Sequence, residues 1–192
     1  MRSATRLLLV LLLAVAGPTG CTRLLVAMDA EPIEEDPGER TFARRIADES
    51  IEVKAVVNMH AADEGFDDAH LRVVSYNGYV LIAGQVASER LKSTATAVAR
   101  ELREVRRIYN ELEIAAPSSA MTRTSDAWIA TKVKSWLLGR GDTPGLRTKV
   151  VAENGIVYLL GMVTRAEADR IAAMAADVAG VQRVVRLFEL ID

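Results

Sequence analysis

Hydrophobic positions from residue 48 onward follow two rhythms, and each rhythm occurs twice. Ile51, Ala55 and Met59 recur at helical spacing behind Asp48, and Ile129, Val133 and Leu137 do the same behind Asp126. Each set predicts a helix with an acidic start and one apolar stripe. Two runs rich in β-branched and apolar residues follow, divided by Asn77-Gly78 in the first case and Asn154-Gly155 in the second. Asn-Gly best tolerates the positive φ angles of a tight hairpin turn, so each pair of runs predicts an antiparallel hairpin. Next come Leu91, Ala95, Val98, Leu102 and Val105, matched by Ala168, Ala172, Ala175 and Val178 as a second helical stripe. Thr164 and Glu167 have capping-box spacing, and Gly180 is placed to end that helix. Final strands are expected over residues 107–114 and 183–191, the first with Ile108, Asn110, Leu112 and Ile114 in alternation.

The two halves are repeats. Slid by 77 positions, residues 73–86 lie over residues 150–163 with seven of fourteen identical. The fold class expected is α+β: two tandem αββαβ modules, each a three-stranded mixed sheet with two helices packed on it. Boundaries are expected at residues 48–114 and 126–192, joined by a Pro/Ser/Thr-rich linker over 115–125. Units this small approach the lower limit for independent folding, so the modules are expected to pack partly on each other, each sheet's second face open or shared.

The first residues read differently. Arg2 and Arg6 precede an unbroken apolar run, Leu7 to Ala16, then Gly17-Pro18-Thr19-Gly20 and Cys21. Ten residues make a helix of about 15 Å, half a bilayer core of about 30 Å, so this is a signal peptide (residues 1–20) and not a membrane span. The arrangement resembles a bacterial lipoprotein signal, with Gly20 fitting and Pro18 standing where Leu is preferred. That resemblance implies a diacylglycerol and an N-acyl chain, palmitate among them, on Cys21, and Thr22 after the cysteine implies the outer membrane. Residues 21–47 then read as an acidic solvated tether, with DAEPIEEDPGER at its heart.

Composition removes several functions. Lys+Arg 24 against Asp+Glu 26 gives a net charge of -2 and no basic field for nucleic acid. One cysteine with only His60 and His70 can neither form a disulfide within the chain nor close a zinc site. The carboxylates of residues 61–70 read as a solvated loop, the glycines of 139–145 lack phosphate-loop spacing, and no acyl-transfer triad is visible. A non-enzyme without a cofactor is expected.

The run D-x-x-I-x-x-x-V-x-x-x-L, a hairpin ending V-x-L-x-G, an Ala-rich helix and a last strand of V-x-x-V-x-N-x-L or V-x-x-V-x-x-x-F resemble the BON domain. The first copy offers Asp48, Ile51, Val80, Ile82, Gly84, Val105, Ile108, Asn110 and Leu112. The second offers Asp126, Ile129, Val133, Leu137, Val157, Leu159, Gly161, Val181, Val184 and Phe188. A lipoprotein signal before two such modules is similar to the division- and outer-membrane-stress-associated lipoproteins, closest at Ser125 to Ser135 and Leu137-Leu138. The resemblance implies a periplasm-facing lipoprotein, anchored in the outer membrane by its acyl chains and enriched at the division site. It further implies that the second module binds anionic phospholipid, phosphatidylglycerol or cardiolipin, in support of envelope integrity. The alternative is a periplasmic scaffold bound to outer-membrane assembly or cell-division machinery.

Both tryptophans fall in the first helix of the second module. At 100° per residue Trp128, Lys132 and Trp136 form a stripe beside the core stripe, with Thr131 and Ser135 beyond it. Indole prefers the headgroup level, and a lysine between two indoles can meet a lipid phosphate while its methylenes stay among apolar groups. The expected phospholipid contacts are therefore Trp128, Thr131, Lys132, Ser135, Trp136 and Leu138, with Lys134 and Arg140 adding charge nearby. The first-copy helix has Val53, Val57 and Lys54 but no tryptophan, so the second module is expected to dominate. Intact mass of the N-terminal peptide tests the anchor: acylated Cys21 is expected, and a free thiol contradicts it.

Overall fold

The computed structural model describes residues 36 and 38–192, within one compact unit, Asp36–Asp192. The signal peptide, Cys21 and most of the expected tether lie outside the described residues. The first module runs α1 (Phe42–Ala62), β1 (His70–Tyr76), β2 (Tyr79–Val86), α2 (Glu89–Arg100) and β3 (Arg107–Ile114). The second runs α3 (Ala120–Gly139), β4 (Thr148–Glu153), β5 (Ile156–Val163), α4 (Arg165–Ala176), β6 (Arg183–Arg186) and β7 (Glu189–Leu190). In each sheet the hairpin strands pair antiparallel, and the last strand adds in parallel to the second hairpin strand. The expected strand 183–191 is interrupted at Leu187 and Phe188. Its register against β5 continues unchanged, from Leu159 opposite Arg186 to Met162 opposite Glu189.

Asn77 and Gly78 adopt φ of 52° and 76°, and Asn154 and Gly155 adopt 49° and 73°, the tight turns read from the sequence. Gly84 sits at φ 120°, where a Cβ would come within 1.9 Å of the His70 carbonyl oxygen. The capping box of α4 is present, with Thr164 and Glu167 bonding reciprocally.

The helix starts differ from the sequence reading. Thr41 and Ser119 are the N-caps, accepting from the amides of Arg44 and Thr122, so α1 and α3 begin six positions ahead of Asp48 and Asp126. Helix thus replaces part of the expected tether and linker. Arg40, also assigned to the tether, stacks its guanidinium 3.7 Å from the centre of the Tyr76 ring and bonds Asp48 at 2.6 Å. The two aspartates face inward and hold the hairpin turns. Asp48 accepts from the Asn77 and Gly78 amides at 2.8 and 2.9 Å and from the Ser75 hydroxyl at 2.7 Å. Asp126 accepts from the Asn154 and Gly155 amides, each at 2.9 Å. A turn with positive φ leaves successive amides pointing one way, and a buried carboxylate satisfies both.

Side chains alternate across both sheets, and both faces are used. Outward, Val73, Val80, Ile82 and Leu112 pack under Ile51, Ala55 and Met59 of α1 with Leu91 and Ala95 of α2. Ala152, Val157, Leu159 and Val163 pack likewise under α3 and α4. Inward, Val74, Tyr76, Leu81 and Ala83 of the first sheet meet Val151, Tyr158, Leu160 and Leu187 of the second. The unit is a helix–sheet–sheet–helix sandwich, with α1 and α3 on opposite outer layers. Burial pushes the Tyr158 phenol up to about 12, with Glu111 nearby adding to the shift. Polar contacts frame this seam in a reciprocal pattern. Asn77 donates to Glu189 at 2.6 Å, and Asn154 donates to Glu113 at 3.1 Å. Gln85 reaches Glu153 at 3.0 Å, and Lys149 reaches Glu52 at 2.7 Å.

Burial would raise the Asp48 pKa, but hydrogen bonds from Ser75, Gly78, Arg40 and Asn77 outweigh it and hold the carboxyl below its ordinary value. The stability it contributes is therefore complete above about pH 4 and lost as pH falls through the lowered folded value. Asp48→Asn is expected to cost about 2–3 kcal/mol at neutral pH in urea titrations and to flatten the acid limb of the stability profile.

Candidate functional site

α3 turns Asp126, Ile129, Val133 and Leu137 to the core, which forces the opposite side of the helix into solvent. Trp128 and Ser135, seven residues apart, align along that outer side, with Thr131 and Lys132 between them. Trp128 is 61% exposed, and Trp136 and Leu138 are each 50% exposed. The structure gathers all six expected lipid-contact residues on the solvent side of one helix, with Trp136 nearest the core boundary. The Lys132 ammonium sits 5.2 Å from the centre of the Trp128 ring. It stacks on one indole instead of bridging two, which presents charge and apolar surface as a single unit. The Thr131 hydroxyl donates to the Ala127 carbonyl within the helix at 2.8 Å.

Lys134 does not supply the free charge expected of it. Its ammonium turns inward and donates to the carbonyls of Gly145 and Thr148, each at 2.6 Å, and burial lowers its pKa. It ties α3 to the start of β4. Arg140, at the helix end, is exposed. Sequence reasoning missed Leu146, 88% exposed in a short 3-10 turn (Gly145–Arg147) beside the end of α3. No periodicity marks a single leucine in a Gly/Pro loop. It also missed the extent of the apolar face of α1, where Phe42, Ile46, Val53 and Val57 form a solvent-facing stripe. Phe42 and Ile46 lie in the turns assigned to the tether, so the stripe was cut in half.

The carboxylates between α1 and β1 behave as loop residues. Asp63 caps the 3-10 turn Glu64–Phe66 and pairs with Arg90, and Asp67 meets His60 at 2.8 Å. Among the described residues no group of three or more His, Cys, Asp or Glu is arranged to hold a metal. None of the described helices is long and apolar enough to cross a membrane.

Comparison with known proteins follows the repeat. Residues 58–116 and 125–192 each match the BON domain. The outer membrane lipoprotein DolP of Haemophilus influenzae is 33% identical over 190 residues, covering 99% of this chain and 98% of that one. A 21 kDa hemolysin of Actinobacillus pleuropneumoniae is 31% identical over 153 residues, covering 80% of this chain and 79% of its own. A solved structure of CdsD, a structural protein of the type III secretion system of Chlamydia trachomatis, overlaps at a TM-score of 0.30 with 16% identity, covering 74% and 63% of the two chains.

The two roles of lysine on α3 separate experimentally. Lys134→Ala removes both bonds, leaving the Gly145 carbonyl with the Thr148 amide alone, and is expected to cost about 1–2 kcal/mol in a urea titration, with membrane association unchanged. Lys132→Ala is expected to leave stability within about 0.5 kcal/mol.

Proposed function

The chain belongs to the BON-domain family, as a dual-module outer-membrane lipoprotein, and from that premise we propose that it binds anionic phospholipid through the outward face of α3. Acyl chains on Cys21 hold it in the outer membrane, facing the periplasm, and the second module reads the lipid surface around it. The observation that carries this reading is the exposed Trp128 with Lys132 stacked on its ring, on a helix whose other side is fully engaged by the core. Indole settles at the headgroup level, and each lysine or arginine near an anionic surface contributes about 1 kcal/mol. Trp136 and Leu138 extend the apolar contact, and Thr131 and Ser135 lie between them at headgroup height. Phosphatidylglycerol and cardiolipin supply the required charge.

The role is binding and not catalysis, and the consequence for the cell is support of outer-membrane integrity. Both histidines are engaged by carboxylates, His60 in the last turn of α1 by Asp67 and His70 at the start of β1 by Glu153 at 3.4 Å. The apolar stripe of α1 favours a second reading, a scaffold for outer-membrane assembly or cell-division machinery at the division site. It lies on the outer layer opposite α3, so a protein can seat there while α3 meets lipid.

Flotation of the Asp36–Asp192 unit, which contains all three core clusters and lacks the acyl anchor, tests the lipid reading. The unit is expected to float with phosphatidylglycerol-containing vesicles and not with phosphatidylcholine. Trp128→Glu, still folded by thermal melting, is expected to bind at least tenfold more weakly, about 1.4 kcal/mol. Undiminished flotation of that variant contradicts the site, and no flotation of the wild type transfers the lead to the scaffold.

A further inference from the structure

The end of α3 and the first turns of α1 come together at one end of the unit, and a cleft of about 1020 Å³ opens between the modules there. Its walls include Arg40 and Arg45 from the first module and Leu138, Leu146, Arg147 and Arg170 from the second. The four guanidinium groups differ in what already holds them. Arg40 is committed to Asp48 and the Tyr76 ring. Arg147 is committed to Asp36 at 3.1 Å, Glu167 at 3.0 Å and the Met162 carbonyl. Arg170 has no carboxylate partner among the described residues, and its Nε donates to the Asp142 carbonyl at 3.1 Å. Arg45 pairs only with Glu39, and both side chains are more than half exposed, so water and salt screen that pair.

Arg170 and Arg45 are thus the cations of this cleft open to a new anion. Guanidinium groups suit phosphate because their planar forks match its oxygens. The rim supplies the second half of the chemistry, since Leu138 and Leu146 expose apolar surface that no other described element covers. A ligand matching both would join a phosphate anion to an apolar body.

We propose that this cleft is a headgroup site for an anionic phospholipid, with Arg170 and Arg45 meeting the phosphate and Leu138 and Leu146 meeting the glycerol and first methylenes. The proposal rests on the lipid reading of α3 and deepens it, because α3 ends at the cleft and Leu138 belongs to both. α3 would anchor the protein at the surface while the cleft selects one headgroup out of it. Asp36, Glu39, Asp142 and Glu167 also line the cleft; Asp36 and Glu167 are held by Arg147 and Glu39 by Arg45, which leaves the Asp142 carboxylate to oppose an incoming anion.

The test compares the Asp36–Asp192 unit with two charge-reversed pairs. Arg45→Glu/Arg170→Glu alters the cleft, and Arg100→Glu/Arg103→Glu makes the same change in net charge at residues of the first module that do not line it. The cleft pair is expected to lose at least tenfold in affinity for phosphatidylglycerol vesicles, the other pair less than threefold, and Asp142→Asn is expected to bind more tightly than wild type. All four sites are exposed, so thermal melting should remain near wild type for each variant. Equal losses for the two pairs overturn the proposal, reducing the effect to general charge. Retained affinity in the cleft pair alongside a loss in Trp128→Glu overturns the cleft and spares the α3 reading. Inorganic phosphate at matched ionic strength is the other arm. If it shifts the Arg170 side-chain resonance while the cleft pair still binds vesicles as wild type does, the site takes free phosphate and the lipid assignment falls.

Discussion

The fold depends on the burial of both faces of each sheet, three-stranded in the first module and four-stranded in the second, where the expected last strand is split into β6 and β7. One face lies under two helices, and the other has no cover within its own module. Val74, Tyr76, Leu81 and Ala83 would stand in water were they not opposed by Val151, Tyr158, Leu160 and Leu187. A large apolar side chain contributes about 1.5–3 kcal/mol when fully buried, a substantial fraction of the marginal stability of a domain this size. The repeated modules therefore act as a single folding body, an internal pair whose seam is framed by Asn77 with Glu189 and Asn154 with Glu113.

That arrangement decides which surfaces are free to act. With the inner faces closed, the outer layers are the surfaces left open to solvent, and the proposed contact with lipid falls on one of them. Two polar devices keep α3 rigid enough for this. The Asp126 carboxylate holds the β4–β5 turn, and the Lys134 ammonium holds the 3-10 turn and the entry to β4. Both lie on the inner side, so Trp128, Lys132 and Ser135 project from a helix fixed at several points along its length. The first module uses the same aspartate device, with Ser75 and Arg40 added, and presents the different surface of Phe42, Ile46, Val53 and Val57.

Much of this was legible in the sequence because the repeat displayed each element twice. The Asn-Gly turns, the capping box at Thr164 and Glu167, and the core stripes of α1 and α3 follow directly from residue chemistry and spacing. The helix starts were misplaced because aspartate is a strong N-cap, and the weaker signals of Thr41 and Ser119 have no acidic third residue to complete a capping box. A carboxylate binding a turn remote in sequence leaves no local trace. The closed seam did leave one: β2 and β5 read as nearly continuous apolar runs instead of alternating ones, the pattern of strands covered on both faces. The outward face of α3 was readable from helical geometry, whereas the inward turn of Lys134 was not, since its carbonyl partners are supplied by a loop. Leu146, Arg45 and Arg170 meet only in three dimensions.

The most direct test of the account is the depth of the two outer layers at an anionic bilayer. Spin labels at Thr131 and Ser135 of α3, and at Val53 and Val57 of α1, replace exposed side chains and report their access to oxygen and to a water-soluble relaxant. With phosphatidylglycerol vesicles the account predicts that the α3 labels enter the interface while the α1 labels stay in water. Protection of the α1 labels with α3 left exposed would contradict it.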